Sequence, residues 1–268
     1  MKEPWRVASA ELYSADIFLV GVGQYDINQL TLEGYHVLRE SNRVLHITQM
    51  HGRLSEINSN CVDLNPRFQD LGRDWEMCKR IADYVTDEGA QNGPLTFVAS
   101  GNALFFDDIG WEIVRIGIAK GLKVQALPGI SCFDVLPIQL GFDPGDLGSQ
   151  IFEATHLLKF NLRMNPMLST LVLQVAELDR SERKPGSSMA ERFHKLLNHV
   201  LKFYPPTHRL VFVKSRTMAD ENDAVISTAI CKAAEIVDDI SAGMTLYIPR
   251  VNIPVTLRAS HSDEIGES

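Results

Sequence analysis

The stretch Ile17-Phe18-Leu19-Val20-Gly21-Val22-Gly23-Gln24-Tyr25-Asp26 decides the fold. Its unbroken apolar run reads as a strand, and it ends in a glycine-spaced turn before the helical pattern that opens with Leu30-Thr31-Leu32-Glu33. Strand, tight turn and helix in this order place an α/β ligand-binding edge close to the N-terminus. Gly21 and Gly23 let the backbone turn sharply and let a ligand approach without meeting a Cβ; the plainer reading is that they only form a tight turn. The dinucleotide fingerprint is incomplete, because Asp26 stands where its third glycine belongs. The second apolar run, Arg43 to Thr48, also lacks the acidic residue that would bind a ribose. Nicotinamide dinucleotides are therefore weakly supported as ligands.

Working outward, Leu95–Ala99 and Val124–Leu127 read as further strands. Leu30–Glu40, Trp75–Val85 and Ile109–Lys120 carry apolar residues at helical spacing, so the first half reads as a mostly parallel sheet with crossover helices. Gly121 is placed to stop the helix that ends at Lys120. The turn-rich segment Leu140 to Gly148 is the expected domain hinge. Beyond it, Gln150–Phe152, Thr170–Val175, Arg209–Val213 and Thr245–Ile248 read as strands, and Met189–Phe203 and Ala224–Glu235 as helices. Pro205-Pro206 ends the long helix, and the polar tail Ser260–Ser268 is expected to fray.

The 268 residues suffice for one large or two medium domains with sizeable cores. A formal net charge of −8 without a Lys/Arg cluster argues against nucleic acid as a partner. The four cysteines, Cys61, Cys78, Cys132 and Cys231, show neither CxxC nor zinc-ligand spacing, which favours a reducing, cytoplasmic setting. No leader pattern and no run of membrane-spanning length stands in the sequence, so a protein that is not membrane-bound is expected.

Ser100-Gly101-Asn102-Ala103-Leu104-Phe105-Phe106 follows the third long strand directly, at the end where open parallel sheets bind ligands. Gly101 exposes backbone donors, Asn102 bonds in both directions, and Phe105 and Phe106 either cover an apolar cofactor body or belong to the core. Pro128-Gly129-Ile130-Ser131 follows the next strand in the same manner, where Ser131 caps a helix or bonds a ligand. Three such loops at the ends of parallel strands imply one pocket at one sheet edge.

These residues resemble a known family. Val20-Gly21-Val22-Gly23 with Leu30-Thr31, the loop Ser100–Phe106 and Pro128-Gly129-Ile130-Ser131 resemble the three cofactor loops of the tetrapyrrole (corrin/porphyrin) methylase superfamily. Leu140 to Gly145, Gln150 to Thr155, Leu171 to Gln174, Phe203-Tyr204-Pro205 with His208, and Met244 to Pro249 resemble its borosin branch, which N-methylates peptide backbones. The resemblance implies a two-domain α/β fold, with a mostly parallel N-terminal sheet and a mixed-sheet C-terminal domain, over residues 14–141 and 142–259, with 260–268 as a tail. It also implies S-adenosylmethionine as cofactor, held in the cleft between the domains, and an intimate homodimer. Gly21 and Gly23 would then line the cofactor site, Gly101 to Phe106 with Ser131 and Cys132 would hold the methionine portion, and Ala154, Thr155, Gln174, Thr245 and Leu246 would surround the adenosine. Gln174 follows three aliphatics expected to be buried and should have a hydrogen-bond partner. The loop Ser100–Phe106 keeps Gly101 and Phe106 of the branch's Tyr-Gly-His-Pro-Gly-Val-Phe but not its aromatic, histidine or proline, and Trp75 falls where a tyrosine is expected.

Methyl transfer from a sulfonium is an in-line displacement, so a protein contributes largely by orienting the acceptor and excluding water. A backbone amide must also lose its proton while charge builds on its oxygen, which calls for a donor on that side. Arg73 and Tyr204 are the candidates; otherwise Arg73 is a solvated helix-start residue and Tyr204 a core aromatic. His208 accepts a proton near neutral pH or is structural. The remaining histidines are dispersed without a ligand pattern, Asp107-Asp108 reads as helix capping, and no metal is expected. The expected activity is N-methylation of backbone amides of a peptide, carried on a separate precursor or otherwise. The alternatives are a tetrapyrrole or other small-metabolite acceptor, and a non-catalytic binding or regulatory domain.

Overall fold

The computed structural model describes residues 14–68, 75–178, 188–216 and 221–251. The chain forms two units, one of residues 1–135 with 216–221, the other of 136–215 with 222–268.

In the first unit the elements run β1 (Ile17–Gly21), α1 (Leu32–Glu40), β2 (Arg43–His46), α2 (His51–Ile57), β3 (Cys61–Asp63), α3 (Asn65–Phe68), α4 (Trp75–Asn92), β4 (Leu95–Ala99), α5 (Asp108–Ala119) and β5 (Val124–Ala126). The sheet order is β3-β2-β4-β1-β5, and every pairing is parallel. All residues of β1 and β4 are buried, as a parallel sheet covered on both faces demands. Alternation sorts them: Ile17, Leu19, Leu95 and Phe97 pack with Ile81, Val85, Ile113 and Ile116 of α4 and α5, while Phe18, Val20, Val44 and Val98 pack with Val37, Leu38 and Leu54 of α1 and α2. The Thr31 hydroxyl accepts from Gly34 N–H to cap α1, and Asp107 accepts from Gly110 N–H to cap α5, so the Asp107-Asp108 pair is indeed a helix start. Gly121, at φ 74°, follows the end of α5 in the left-handed conformation of a helix stop. Among the described residues, α2, β3 and α3 are elements that apolar periodicity did not single out.

The division between the units falls inside α6 (Cys132–Leu140). The second unit contains β6 (Ser149–Glu153), α7 (Ala154–Lys159), β7 (Ser169–Leu173), α8 (Met189–Val200), β8 (Arg209–Lys214), β9 (Ala224–Ala229) and β10 (Thr245–Ile248). Its sheet, β6-β7-β10-β8-β9, is mixed: β6 and β7 are parallel and the other pairs antiparallel. Ser188 and Glu191 start α8 with a reciprocal capping box, and Phe193, Leu196, Leu197 and Val200 bury its apolar stripe. The helix expected over Ala224–Glu235 is corrected to a strand followed by a 3-10 helix, Ile230–Asp239. Val225, Ile226 and Thr228 are β-branched, and six registered partners on β8 outweigh the helical spacing. The tail 260–268 lies outside the described residues.

Candidate functional site

The loops after β1, β4 and β5 meet at the carboxyl end of the first sheet. Gly23 N–H donates to the Gly101 carbonyl at 3.2 Å and Gly101 N–H to the Gly23 carbonyl at 2.7 Å, a small antiparallel bridge that both residues enter at positive φ. A Cβ on Gly21 would collide with the Gly101 carbonyl oxygen and lie 2.8 Å from Asn102 Cα. A Cβ on Gly129 would lie 3.3 Å from Gly101 O and Gly21 Cα. The space that Gly21 leaves open is therefore filled by the neighbouring loop, and its role is to let the loops close on one another. Asn102 staples the same junction: its Nδ2 donates to the Gly129 carbonyl at 3.2 Å and its Oδ1 accepts from Leu104 N–H at 2.9 Å.

Phe105 and Phe106 belong to neither core cluster of the first unit. Phe106 is 44% exposed and holds φ 59°, a costly conformation for a bulky residue, and Phe105 lies against Phe133. Ser131 takes its capping reading: its N–H and hydroxyl both donate to Asp134 Oδ2 at 2.7 Å, and its oxygen accepts from Phe133 N–H. Cys132 begins α6, and burial pushes its thiol up to about 11.

In the second unit the register gathers the other candidates at one sheet edge. Glu153 pairs with Leu173, and β10 lies beside β7 with Leu246 opposite Val172, so Ala154, Thr155, Gln174 and Thr245 all stand near that edge. Glu153 caps α7 by accepting from Thr155 and His156 N–H. Leu246 is fully buried in the unit's core. Gln174 departs from expectation: it lies one residue beyond β7, exposed, at φ 59°, and its side chain finds no partner among the described residues. Exposure removes the need for one.

Of the two reacting-group candidates, Arg73 lies outside the described residues. Tyr204 is 2% exposed within the second unit's core, its hydroxyl 3.0 Å from Thr170 Oγ1, and burial pushes its phenol above the usual range. The hydroxyl already has a partner inside the core, so the expected role as an oxygen-side donor would require it to leave Thr170. His208 bonds through Nε2 to the Pro249 carbonyl at 2.7 Å and lies 4.9 Å from the Tyr204 ring, a structural setting.

The dispersed histidines also need correction. His46, His51 and Cys61 offer ligand atoms that all lie within 4.8 Å of one another. Spacings across a strand, a turn, a helix and a second strand carry no motif; only the parallel pairing of β2 with β3 assembles them.

Residues 16–230 match the family described as Tetrapyrrole (Corrin/Porphyrin) Methylases. The chain belongs to that family. It is 24% identical over 249 residues to a methyltransferase/ribosomally synthesized type I borosin cyclic peptide precursor of Coprinopsis marcescibilis, with 90% of this chain aligned to 64% of that protein. The chain thus spans less than two thirds of the length of this curated relative. Among solved structures, uroporphyrin-III-C-methyltransferase from Thermus thermophilus superposes with TM-score 0.63 at 15% identity, covering 87% of this chain and 91% of that one. The same enzyme complexed with S-adenyl homocysteine superposes with TM-score 0.58 at 16% identity, covering 87% and 96%. The two-domain α/β fold with one parallel and one mixed sheet is that of these methylases. No helix among the described residues is long and apolar enough to cross a membrane, and all four cysteines are free.

Proposed function

We propose that the chain is an S-adenosylmethionine-dependent methyltransferase whose acceptor is a backbone amide of a peptide. The observation that carries the cofactor reading is the junction of Gly21–Gly23, Gly101–Asn102 and Pro128–Gly129 at the carboxyl edge of an all-parallel sheet, with Phe106 left exposed beside it. That junction fits the cofactor: its polar backbone groups suit an amino acid portion, and the aromatic faces of Phe105 and Phe106 suit a sulfonium with its apolar stem. When bound, the cofactor supplies a methyl group on a positively charged sulfur for in-line displacement. Ala154, Thr155, Gln174, Thr245 and Leu246 are proposed for the adenosine, with Thr245 and Leu246 acting from their buried strand through backbone and shape.

The peptide acceptor rests on the borosin relatives, whose names join a methyltransferase to a cyclic peptide precursor. The chain's task is to hold the amide nitrogen in line, exclude water and stabilise charge on the amide oxygen as the N–H proton leaves. Arg73 is proposed for the oxygen side. Its replacement by methionine is expected to lower single-turnover methylation by about 10²–10³, the scale of one lost oxyanion donor, with cofactor affinity nearly unchanged. A near-native rate in folded Arg73→Met would return it to a solvated role. A homodimer in the cytoplasm is proposed with this reading, and sedimentation at micromolar concentration checks the dimer.

Incubation with methyl-labelled cofactor and synthetic peptides tests the acceptor directly. Label in a backbone amide, located by fragmentation mass spectrometry, is the expected result. Label transferred to a tetrapyrrole and never to peptide overturns the peptide reading, and cofactor binding without turnover on either overturns the enzymatic one.

A further inference from the structure

The strands β2 and β3 run parallel, with Val44 opposite Cys61 and His46 opposite Asp63. Residues two apart on a strand share a face, and so do registered partners, which puts Cys61 and His46 on the side of the sheet covered by α1 and α2. Cys61 packs against the cluster of Val44, Leu54 and Val37 on that side. His51, the first residue of α2, closes over them: its Nδ1 is 3.0 Å from His46 Nε2, and the two rings stack at 5.3 Å and 28°. His46 is fully buried, Cys61 partly buried and His51 exposed, so the trio is walled by protein and open on one side.

We propose that His46, His51 and Cys61 form a three-ligand site for a borderline-soft divalent transition-metal ion, with Zn²⁺ the type case and the fourth position open to an exchangeable ligand. Two imidazoles and a thiolate are the donor set such ions select, whereas Mg²⁺ and Ca²⁺ require oxygen. Bond lengths of about 2.0–2.1 Å to nitrogen and 2.3 Å to sulfur put tetrahedral ligand atoms roughly 3.3–3.6 Å apart, which small side-chain rotations reach from the observed spacing.

The surroundings set the protons that a metal ion must displace. His46 Nδ1 lies 3.2 Å from Thr48 N and 3.4 Å from Thr48 Oγ1. Without metal, Nδ1 accepts from the Thr48 amide and the Nε2 proton is shared with His51. Metal on Nε2 requires that proton to move to Nδ1, where the Thr48 hydroxyl at 3.4 Å is the acceptor in reach and the Thr48 amide gives up its bond to the ring. Asp63 places negative charge beside the cation; burial and then Asp63 push the free Cys61 thiol up to about 11, so the thiolate forms with the metal and not before it. The balance is simple: the Cys61 S–H bond breaks, the sulfur–metal bond forms and one proton goes to solvent. His46 ends β2 at the same carboxyl edge of the sheet as Gly21 and Ala99, the edge where parallel sheets take ligands. The inference stands apart from the methyltransferase reading, since neither the cofactor loops nor Arg73 enters it.

Co²⁺ titration of the chelator-treated full chain tests it. The expected result is one Co²⁺ per chain with a thiolate-to-cobalt charge-transfer absorption in the near ultraviolet, abolished by Zn²⁺ competition and by Cys61→Ser. His51→Ala, at an exposed position, is expected to weaken binding at least tenfold in folded protein, and Cys231→Ser to leave the band intact. Zn²⁺ should also raise the Tm of the unaltered chain and not that of the Cys61→Ser, His51→Ala double variant. Absence of the band, its survival in folded Cys61→Ser, or affinity unchanged in His51→Ala overturns the proposal and leaves the trio a hydrogen-bonded histidine pair beside a thiol.

Discussion

At the carboxyl edge of the first sheet, Gly23, Gly101 and Phe106 all hold positive φ and Phe106 stands exposed, whereas Tyr204 and His208 in the second unit lie against each other with both polar groups partnered inside the fold. The first region keeps a phenylalanine in a costly conformation with part of its aromatic surface in water. The second has the residue types of a catalytic pair and the environment of a structural one. Side-chain chemistry on its own would choose Tyr204 and His208; strain and exposure choose the loops.

The sharpest break of this comparison is Gly21→Ala. Its Cβ meets backbone atoms of Gly101 and Asn102, which cannot swing aside as a flexible side chain would. The expected cost is about 3 kcal/mol, at the upper end of ordinary overpacking, with loss of cofactor binding wherever the fold survives. Urea midpoints and calorimetry with S-adenosylmethionine measure both. A stable variant with normal affinity would mean that the junction of the three loops is not what holds the ligand.

Phe106→Asn sharpens the comparison from the other side. Asparagine tolerates the left-handed conformation better than phenylalanine, which offsets the loss of a ring already partly in water, so stability should nearly hold. Cofactor affinity should fall about tenfold, or roughly 1.4 kcal/mol, if the ring covers the ligand. Unchanged affinity would reduce Phe106 to a strained surface residue without a role in binding.

Tyr204→Phe probes the second region. Removing the hydroxyl loses a buried hydrogen bond to Thr170, whose Oγ1 still accepts from Gln150 Nε2 at 2.7 Å, so the expected loss of stability is about 1 kcal/mol. Turnover per folded molecule should be near native. A loss of a hundredfold or more in folded protein would restore the tyrosine to the reaction and overturn the distinction drawn between the two regions.

What could be read from the sequence follows from the same contrast. The strands β1, β4, β8 and β10 were legible because each is an apolar run buried along most of its length. The loops that follow β1, β4 and β5 were legible because glycine has few other reasons to recur at strand ends. β9 was not, since none of its residues is buried and only pairing with β8 makes them a strand. Gln174 was misjudged because one residue past a strand the backbone turns left-handed and leaves the core, a change that periodicity does not carry. Tyr204 was read by what its side chain can do, whereas the fold buries that side chain beside Thr170. His46, His51 and Cys61 escaped because their proximity is a product of parallel strand pairing, which local spacing does not encode.

The smallest expected effect is a pH dependence at His199, and it extends the comparison to groups partnered inside the second unit. His199 is 3% exposed, its Nε2 lies 2.8 Å from the Leu162 carbonyl, and Lys202 Nζ stands 3.5 Å from its Nδ1. Burial lowers its pKa below the ordinary value, the carbonyl bond opposes that, and the neighbouring ammonium adds to it. With the folded value depressed, the unfolded chain takes up the proton first. The stability that the neutral imidazole contributes is therefore fully present above about pH 6.5 and is lost as pH falls through the folded pKa, with a slope of at most about 1.4 kcal/mol per pH unit. His46 is lowered in the same direction by its own burial, so the two contributions must be separated by mutation. His199→Gln keeps an N–H donor for the Leu162 carbonyl and has no proton to gain. Urea midpoints of the metal-free chain between pH 7 and pH 5 should fall less steeply in this variant than in the unaltered protein. Equal slopes would show that His199 charges as easily in the fold as out of it, and that the second unit's buried polar groups are less closed to water than Tyr204 and His208 make them look.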